Sequence, residues 1–183
     1  MRKIKIFMAG VLTITFFTVV HSVELLAFEQ ILNESGMQEI RTENGIVMRW
    51  KVDDSSLIVM ISAKTTGWVA VGFDPTQAMK DANFIIGYVK EGRVYARDDF
   101  GTERGKHTAD TKLGGTDDVT VLEGIEKDGV TEILFSIPLD SGDSRDKPLQ
   151  PGAEYAILLA YGKSDSYSAV HEIEAEAKGT IRL

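Results

Sequence analysis

Residues 67–110 read GWVAVGFDPTQAMKDANFIIGYVKEGRVYARDDFGTERGKHTAD, and this stretch decides the fold. Trp68 to Phe73 is a short apolar run rich in valine, of strand length. Asp74-Pro75-Thr76-Gln77 stops it, because proline lacks an amide donor and polar residues favour a turn. Asn83 to Val89 is a second apolar run. Lys90-Glu91-Gly92 then turns the chain, and Val94 to Asp98 makes the returning strand of a hairpin. Gly67 precedes the first run and Gly72 lies within it. Glycine weakens a strand, so either a bulky group close to the backbone or a local bulge is expected there.

The same grammar extends in both directions. Ile46, Met48, Trp50 and Val52 alternate with Val47, Arg49 and Lys51, the period of a half-buried strand. Asp53-Asp54-Ser55-Ser56 turns, and Leu57 to Ile61 is an apolar run. Val119 to Leu122 and Thr131 to Ile137 flank an Asp128-Gly129 step, a strong hairpin signal. Tyr155 to Tyr161 and Thr180 to Leu183 follow. Glu172 to Lys178 has helix formers but no apolar face and reads as a loop or single turn. Roughly nine strands at this spacing indicate an all-β sandwich or barrel in one domain over 45–183.

The N-terminus reads differently. Arg2, Lys3 and Lys5 precede an uncharged apolar run, Ile6 to Val20. It is shorter than the roughly 20 residues of a membrane-spanning helix and fits a signal peptide. Residues 1–22 are the expected leader, with cleavage after Ala27 as a variant and an uncleaved membrane anchor as the alternative. Residues 23–44 then form a linker or a first strand, and the mature chain is expected to lack a transmembrane helix. The protein is expected in an extracytoplasmic space, periplasmic or secreted.

Net charge at pH 7 is −8, and the leader contributes only basic groups, so the mature chain is more acidic still. An acidic surface disfavours nucleic acid and anionic membranes. The 183 residues contain no cysteine, which removes disulfides, thiolate metal sites, cysteine nucleophiles and covalent haem attachment. Ser166, Ser168 and His171 do not form a nucleophile elbow, and no glycine-rich phosphate loop is present. No enzymatic constellation stands out. Asp140 to Asp146 offers oxygen ligands without calcium-loop spacing and reads as turn chemistry.

Several segments together resemble the DOMON family. They are GWVAVGF, the loop methionine Met79 before Asp81-Ala82, Ile85-Ile86-Gly87-Tyr88 and Gly92-Arg93-Val94-Tyr95-Ala96-Arg97-Asp98. Phe135-Ser136-Ile137-Pro138-Leu139-Asp140 and Ala160-Tyr161-Gly162 complete the set, which covers about Ile46 to Leu183. The resemblance implies an immunoglobulin-like antiparallel β-sandwich. It also implies non-covalent haem b, held as in the cytochrome domain of cellobiose dehydrogenase, with Met79 and His171 as the iron ligands. Tyr95 and Arg97 are candidate contacts for the haem propionates. His107, in a polar Gly105–Asp110 segment read as a loop, is a rival ligand. Glu172, Glu174 and Glu176 place carboxylates around His171. The implied function is single-electron transfer with a redox partner protein or a membrane electron-transfer component. The alternative is a sandwich that binds carbohydrate without haem, with Trp50 and Trp68 as stacking platforms, although both lie on strand patterns that predict burial.

Overall fold

The computed structural model describes residues 36–171 and 175–183. The leader reading of 1–22 or 1–27 falls outside the described residues, as do Glu172 and Glu174. Among the described residues no helix is long and apolar enough to cross a membrane.

Eleven strands follow one another along the chain: β1 Gln38–Arg41, β2 Val47–Asp53, β3 Ser56–Ala63, β4 Val69–Phe73, β5 Asn83–Lys90, β6 Arg93–Glu103, β7 Lys106–Ala109, β8 Thr120–Lys127, β9 Val130–Pro138, β10 Glu154–Tyr161 and β11 Glu176–Arg182. They form two antiparallel sheets. One has five strands in the order β1-β2-β3-β9-β8, the other six in the order β11-β10-β4-β5-β6-β7. This is the expected sandwich, with eleven strands rather than nine.

Alternation builds the core. Met48 and Trp50 of β2 and Leu57, Val59 and Ile61 of β3 bury their side chains. They pack with Val69, Val71 and Phe73 of β4, Ile85 of β5 and Ile133, Phe135 and Ile137 of β9 into one apolar cluster between the sheets. Each of these large side chains contributes about 1.5–3 kcal/mol by leaving water. The hairpin turns work as their sequences suggest. Glu91 and Gly92 both adopt positive φ (52° and 73°), as do Asp128 and Gly129 (53° and 76°). Two consecutive left-handed residues match the twist of the strands they join.

Two expectations need correction. Lys106–Ala109 is not a loop but the edge strand β7, paired to β6 with His107 opposite Gly101. Its side chain is one-quarter exposed rather than solvated. The Glu172–Lys178 loop is interrupted from Glu176, where β11 begins and pairs along β10. In both places the strand is an edge, where half the backbone and one face meet solvent or a cavity, so polar residues are tolerated and the apolar signal is lost.

Candidate functional site

Period-two alternation gives the six-stranded sheet a second face, turned away from the sandwich core. Ala70 pairs with Ile86 on one side and Ala160 on the other; Gly72 pairs with Phe84 and Leu158; Arg97 lies opposite Ile86 and Asp99 opposite Phe84. Residues directly paired across strands share a face. This outer face therefore carries a platform of small and apolar residues bordered by Arg97 and Asp99. The Phe84 ring lies on Gly72, where a Cβ would come within 2.3 Å of it. The Gly72 position is thus filled by the protein's own ring. At Gly67 the close neighbour is the backbone of Gly162 to Ser164.

Two segments rise over this platform and enclose a cavity of about 680 Å³. One is the loop after β4. Thr76 N–H donates to Lys80 O (2.9 Å), and Gln77 bridges Lys80, so the loop is a miniature hairpin with Ala78 and Met79 at its tip. Asp74, Ala78 and Asp81 all have positive φ here (50°, 51° and 61°). Each such residue costs about 1–2 kcal/mol relative to an ordinary conformation. The loop is held by β6: Asp81 N–H donates to Gly101 O (2.7 Å) and Gly101 N–H donates to Ala82 O (2.8 Å). Only glycine fits at 101, since a Cβ there would lie 1.8 Å from the Met79 carbonyl oxygen.

The second segment follows β10. Thr65 Oγ1 donates to Gly162 O (2.6 Å), and Trp68 N–H donates to Ser164 O (3.2 Å). These bonds clamp the start of the segment that ends at His171. The His171 ring sits edge-on to Trp68, with centroids 6.2 Å apart, and its Nε2 lies 3.8 Å from the Glu176 carboxylate. Trp68 is buried, and its indole N–H has no acceptor among the described residues.

Met79, His171, Arg97 and His107 all line this cavity. Tyr95 is not part of its lining; it stacks on Tyr88 at 5.2 Å and is 39% exposed. The wall also contains Trp68 and Tyr167, which the sequence reading did not name for this purpose. Arg97 lies 4.3 Å above the Tyr167 ring. Burial is the main influence that raises the Tyr167 hydroxyl to about 12.

Asp99 organises the floor. Its carboxylate is fully buried; Oδ1 accepts from Arg97 Nε (2.5 Å), and Oδ2 accepts from Arg97 Nη2 (2.7 Å) and also meets His107 Nδ1 (2.5 Å). Burial pushes its pKa up, but the hydrogen bonds to His107 and Arg97 together outweigh burial and hold it below the ordinary carboxylate range. His107 is thereby fixed by one ring nitrogen, the arrangement in which a carboxylate orients a ligating imidazole.

Charge around the cavity inverts that of the whole chain. Among the described residues, Arg97, Arg104, Lys106, Lys112 and Lys178 line it with one acid, Glu176. In a chain of 20 basic and 28 acidic residues, this is a local excess of cations. The combination offers an apolar floor, a cationic wall, a thioether and two imidazoles. Both tryptophans considered as sugar platforms are buried. Trp50 is 5% exposed and donates its indole N–H to Arg182 O (2.9 Å), while Trp68 is 4% exposed.

A model of the DOMON domain family matches residues 42–162. The chain belongs to the DOMON family. Met79 and His107 lie inside the matched span, and His171 lies nine residues beyond its end. The human DBH-like monooxygenase protein 1 is 27% identical over 134 residues, which covers 73% of this chain and 21% of that protein. The mouse protein of the same name is 29% identical over 120 residues. This DOMON chain therefore spans about a fifth of the length of the relatives it matches. Among solved structures, the cytochrome b domain of pyranose dehydrogenase from Coprinopsis cinerea superposes with a TM-score of 0.60 at 10% identity, covering 79% of this chain and 80% of that one. The cytochrome domain of Myriococcum thermophilum cellobiose dehydrogenase gives 0.55 at 11% identity, covering 80% and 81%. At such identities the likeness establishes the fold.

Proposed function

We propose that this DOMON domain is an extracytoplasmic b-type haem-binding electron-transfer module, with Met79 and His171 as the axial ligands. The observation that carries the reading is that both residues line one cavity with an apolar floor and a cationic wall. Its volume lies within the roughly 300–1,000 Å³ typical of cofactor sites. Porphyrin needs apolar faces, and its two propionates need cations. Arg97, Arg104 and the lining lysines supply the second, whereas a neutral sugar has no use for them. Trp68 N–H supplies a further buried donor without an acceptor among the described residues.

Haem b, when bound, supplies reversible one-electron chemistry, and a thioether–imidazole pair raises its reduction potential. The chain's own part is to hold, orient and shield. The Gly101-pinned loop presents Met79, and the clamp at Gly162 presents His171. Phe84, Ile86 and Ala70 exclude water from the floor. Glu176 stands beside His171 Nε2 and would yield that nitrogen or favour ligation through the other. With two protein ligands no open coordination position is left, which suits electron exchange with a separate redox protein or membrane component rather than catalysis.

The test is reconstitution of the full chain with hemin. A Soret band and sharp ferrous α and β bands are expected. Met79→Ala and His171→Ala should each convert the spectrum away from the two-ligand form, while His107→Ala should preserve it. Loss of ligation in His107→Ala with retention in His171→Ala would transfer the role to the Asp99-oriented imidazole. A colourless product would end the haem reading and return the cavity to the carbohydrate alternative.

A further inference from the structure

Successive residues of β6 face opposite ways, so Asp98 points where Asp99 does not. Asp98 is 1% exposed and lies on the inner side of the six-stranded sheet, opposite Ile85 of the core. There it meets Asp110, also 1% exposed, at the start of the 3-10 turn after β7, and Asp146, on the connection between β9 and β10. One oxygen from each of the three carboxylates lies within 4.8 Å of the others.

Among the described residues neither oxygen of Asp98 and neither oxygen of Asp110 has a well-formed hydrogen-bond partner. The Asp118 backbone approaches Asp98 and lowers its pKa, but less than burial and the neighbouring acids raise it. Asn83 adds a fifth open oxygen: its Nδ2 donates to Asp146 Oδ1 (2.7 Å), while its buried Oδ1 receives nothing. Arg145 offsets the group only in part: its charge lowers Asp110, but its guanidinium donates to the Leu113 carbonyl (3.2 Å) and makes no hydrogen bond to the three acids. Burial, followed by the neighbouring carboxylates, pushes Asp98 up to about 9 and Asp110 to about 7. Burial likewise leads in raising Asp146 to about 6. Burying a carboxylate with no donor or counter-charge is costly enough that native proteins pair it or bind a cation there.

We propose that Asp98, Asp110 and Asp146, with Asn83 Oδ1, form a binding site for a hard divalent cation, calcium foremost. Every proposed ligand atom is oxygen and three of the four are carboxylates, which selects calcium over zinc or copper. The ion would tie β6, the turn after β7 and the β9–β10 connection together, three segments that no disulfide can join in a chain without cysteine. It would do so independently of the outer cavity. Asp140 and Asp143 play a different part. Asp140 Oδ1 accepts from Gly142 N–H (3.0 Å) and Asp143 Oδ1 from Arg145 N–H (2.8 Å), so both are turn residues, as the sequence suggests.

The experiment is calorimetric titration of the EDTA-stripped full chain with calcium chloride, paired with thermal unfolding. One ion per chain is expected, with a dissociation constant on the order of 10⁻⁴ M or tighter. At 10 mM calcium this raises the folding constant about 100-fold, seen as a Tm increase of roughly 5–10 °C. Asp98→Asn should keep or raise the Tm in EDTA, since a buried charge is removed, and should lose the calcium response. Asp146→Asn should lose it too. No heat and no Tm change in the wild-type chain would overturn the site. So would a response to zinc chloride alone, or asparagine variants that respond as the wild type does. Should neither variant fold, wild-type stoichiometry decides: any value other than one calcium per chain overturns the proposal.

Discussion

Gly101→Ala tests how the Met79 loop is held. The added Cβ would stand 1.8 Å from the Met79 carbonyl oxygen, 2.9 Å from its carbonyl carbon and 3.1 Å from the Ala82 nitrogen. These are backbone atoms, so no flexible side chain can absorb the collision. The carbonyl must retreat by roughly 1 Å or more to reach ordinary contact. That movement pulls on Asp81 N–H to Gly101 O and Gly101 N–H to Ala82 O, the bonds that dock the loop. Each is worth about 1 kcal/mol net. Overpacking strain adds about 1–3 kcal/mol. The expected loss is about 2–5 kcal/mol, a Tm decrease of roughly 5–15 °C for a domain of this size. Gly105→Ala is the matched control. Gly105 has nothing within 4 Å of its added Cβ, and its φ is not positive, so alanine fits without strain. Thermal unfolding of both variants by circular dichroism reads the difference. In the hemin-loaded protein, Gly101→Ala should also weaken the Met79 contribution to the spectrum. A Gly101→Ala Tm within 2 °C of wild type, with the Gly105→Ala Tm falling instead, would refute the docking argument.

Two further outcomes follow from the same wall of the cavity. Ala78→Gly should stabilise the chain: relief of a left-handed alanine at φ 51° is worth about 1–2 kcal/mol, and glycine's extra unfolded-state freedom returns about 0.4–1 kcal/mol. Chemical denaturation should show the midpoint rising, and a fall would mean the loop conformation is not strained at that residue. Asp99→Asn should cost about 3 kcal/mol at neutral pH by leaving Arg97 and His107 without their shared carboxylate. Because the folded Asp99 pKa is depressed, its stabilisation is complete above the unfolded value of about 3.9 and is lost as pH falls through the folded value. Wild type should therefore lose stability below about pH 4 more steeply than the variant. Equal slopes in urea titrations at neutral and acid pH would show that Asp99 is not the group responsible.

The parts of this fold that were legible in sequence are those buried on one side and wet on the other. Met48 and Trp50 alternate with Val47 and Arg49, and the pleat follows. Asp128-Gly129 announces a turn that only left-handed residues make. What was not legible lies at sheet edges. β7 and the start of β11 carry Lys106, His107, Glu176 and Lys178, which face a cavity or solvent, so neither strand shows an apolar period. Met79 and His171 could be named from the family resemblance, and their meeting on one cavity needed the folded chain. Trp68 was named only as a sugar platform and Asp99 not at all, because a buried tryptophan and a paired aspartate look structural in isolation. The Asp98–Asp110–Asp146 group was hidden for another reason. Its members come from three distant segments, and no spacing rule spans them.

The pair Asp98-Asp99 shows how one strand can serve two faces with opposite chemistry. The two side chains are alike and both fully buried, so burial cannot distinguish them. Their partners do. Asp99 collects an arginine and a histidine, which makes its charge cheap to keep and turns it into a support for the cavity wall. Asp98 sits among other acids with no cation on it, and the Asp118 backbone offsets its burial only in part. A carboxylate that has bought its charge with two cations is already satisfied and has little to offer an ion. One surrounded by open oxygens is satisfied by protonation or by a cation. Five cations line the cavity on the outer face, and on the inner face Asp98 and Asp110 lie beside Asp146. On the two proposals made above, a dianionic cofactor on one side and a divalent cation on the other would each complete what β6 leaves open.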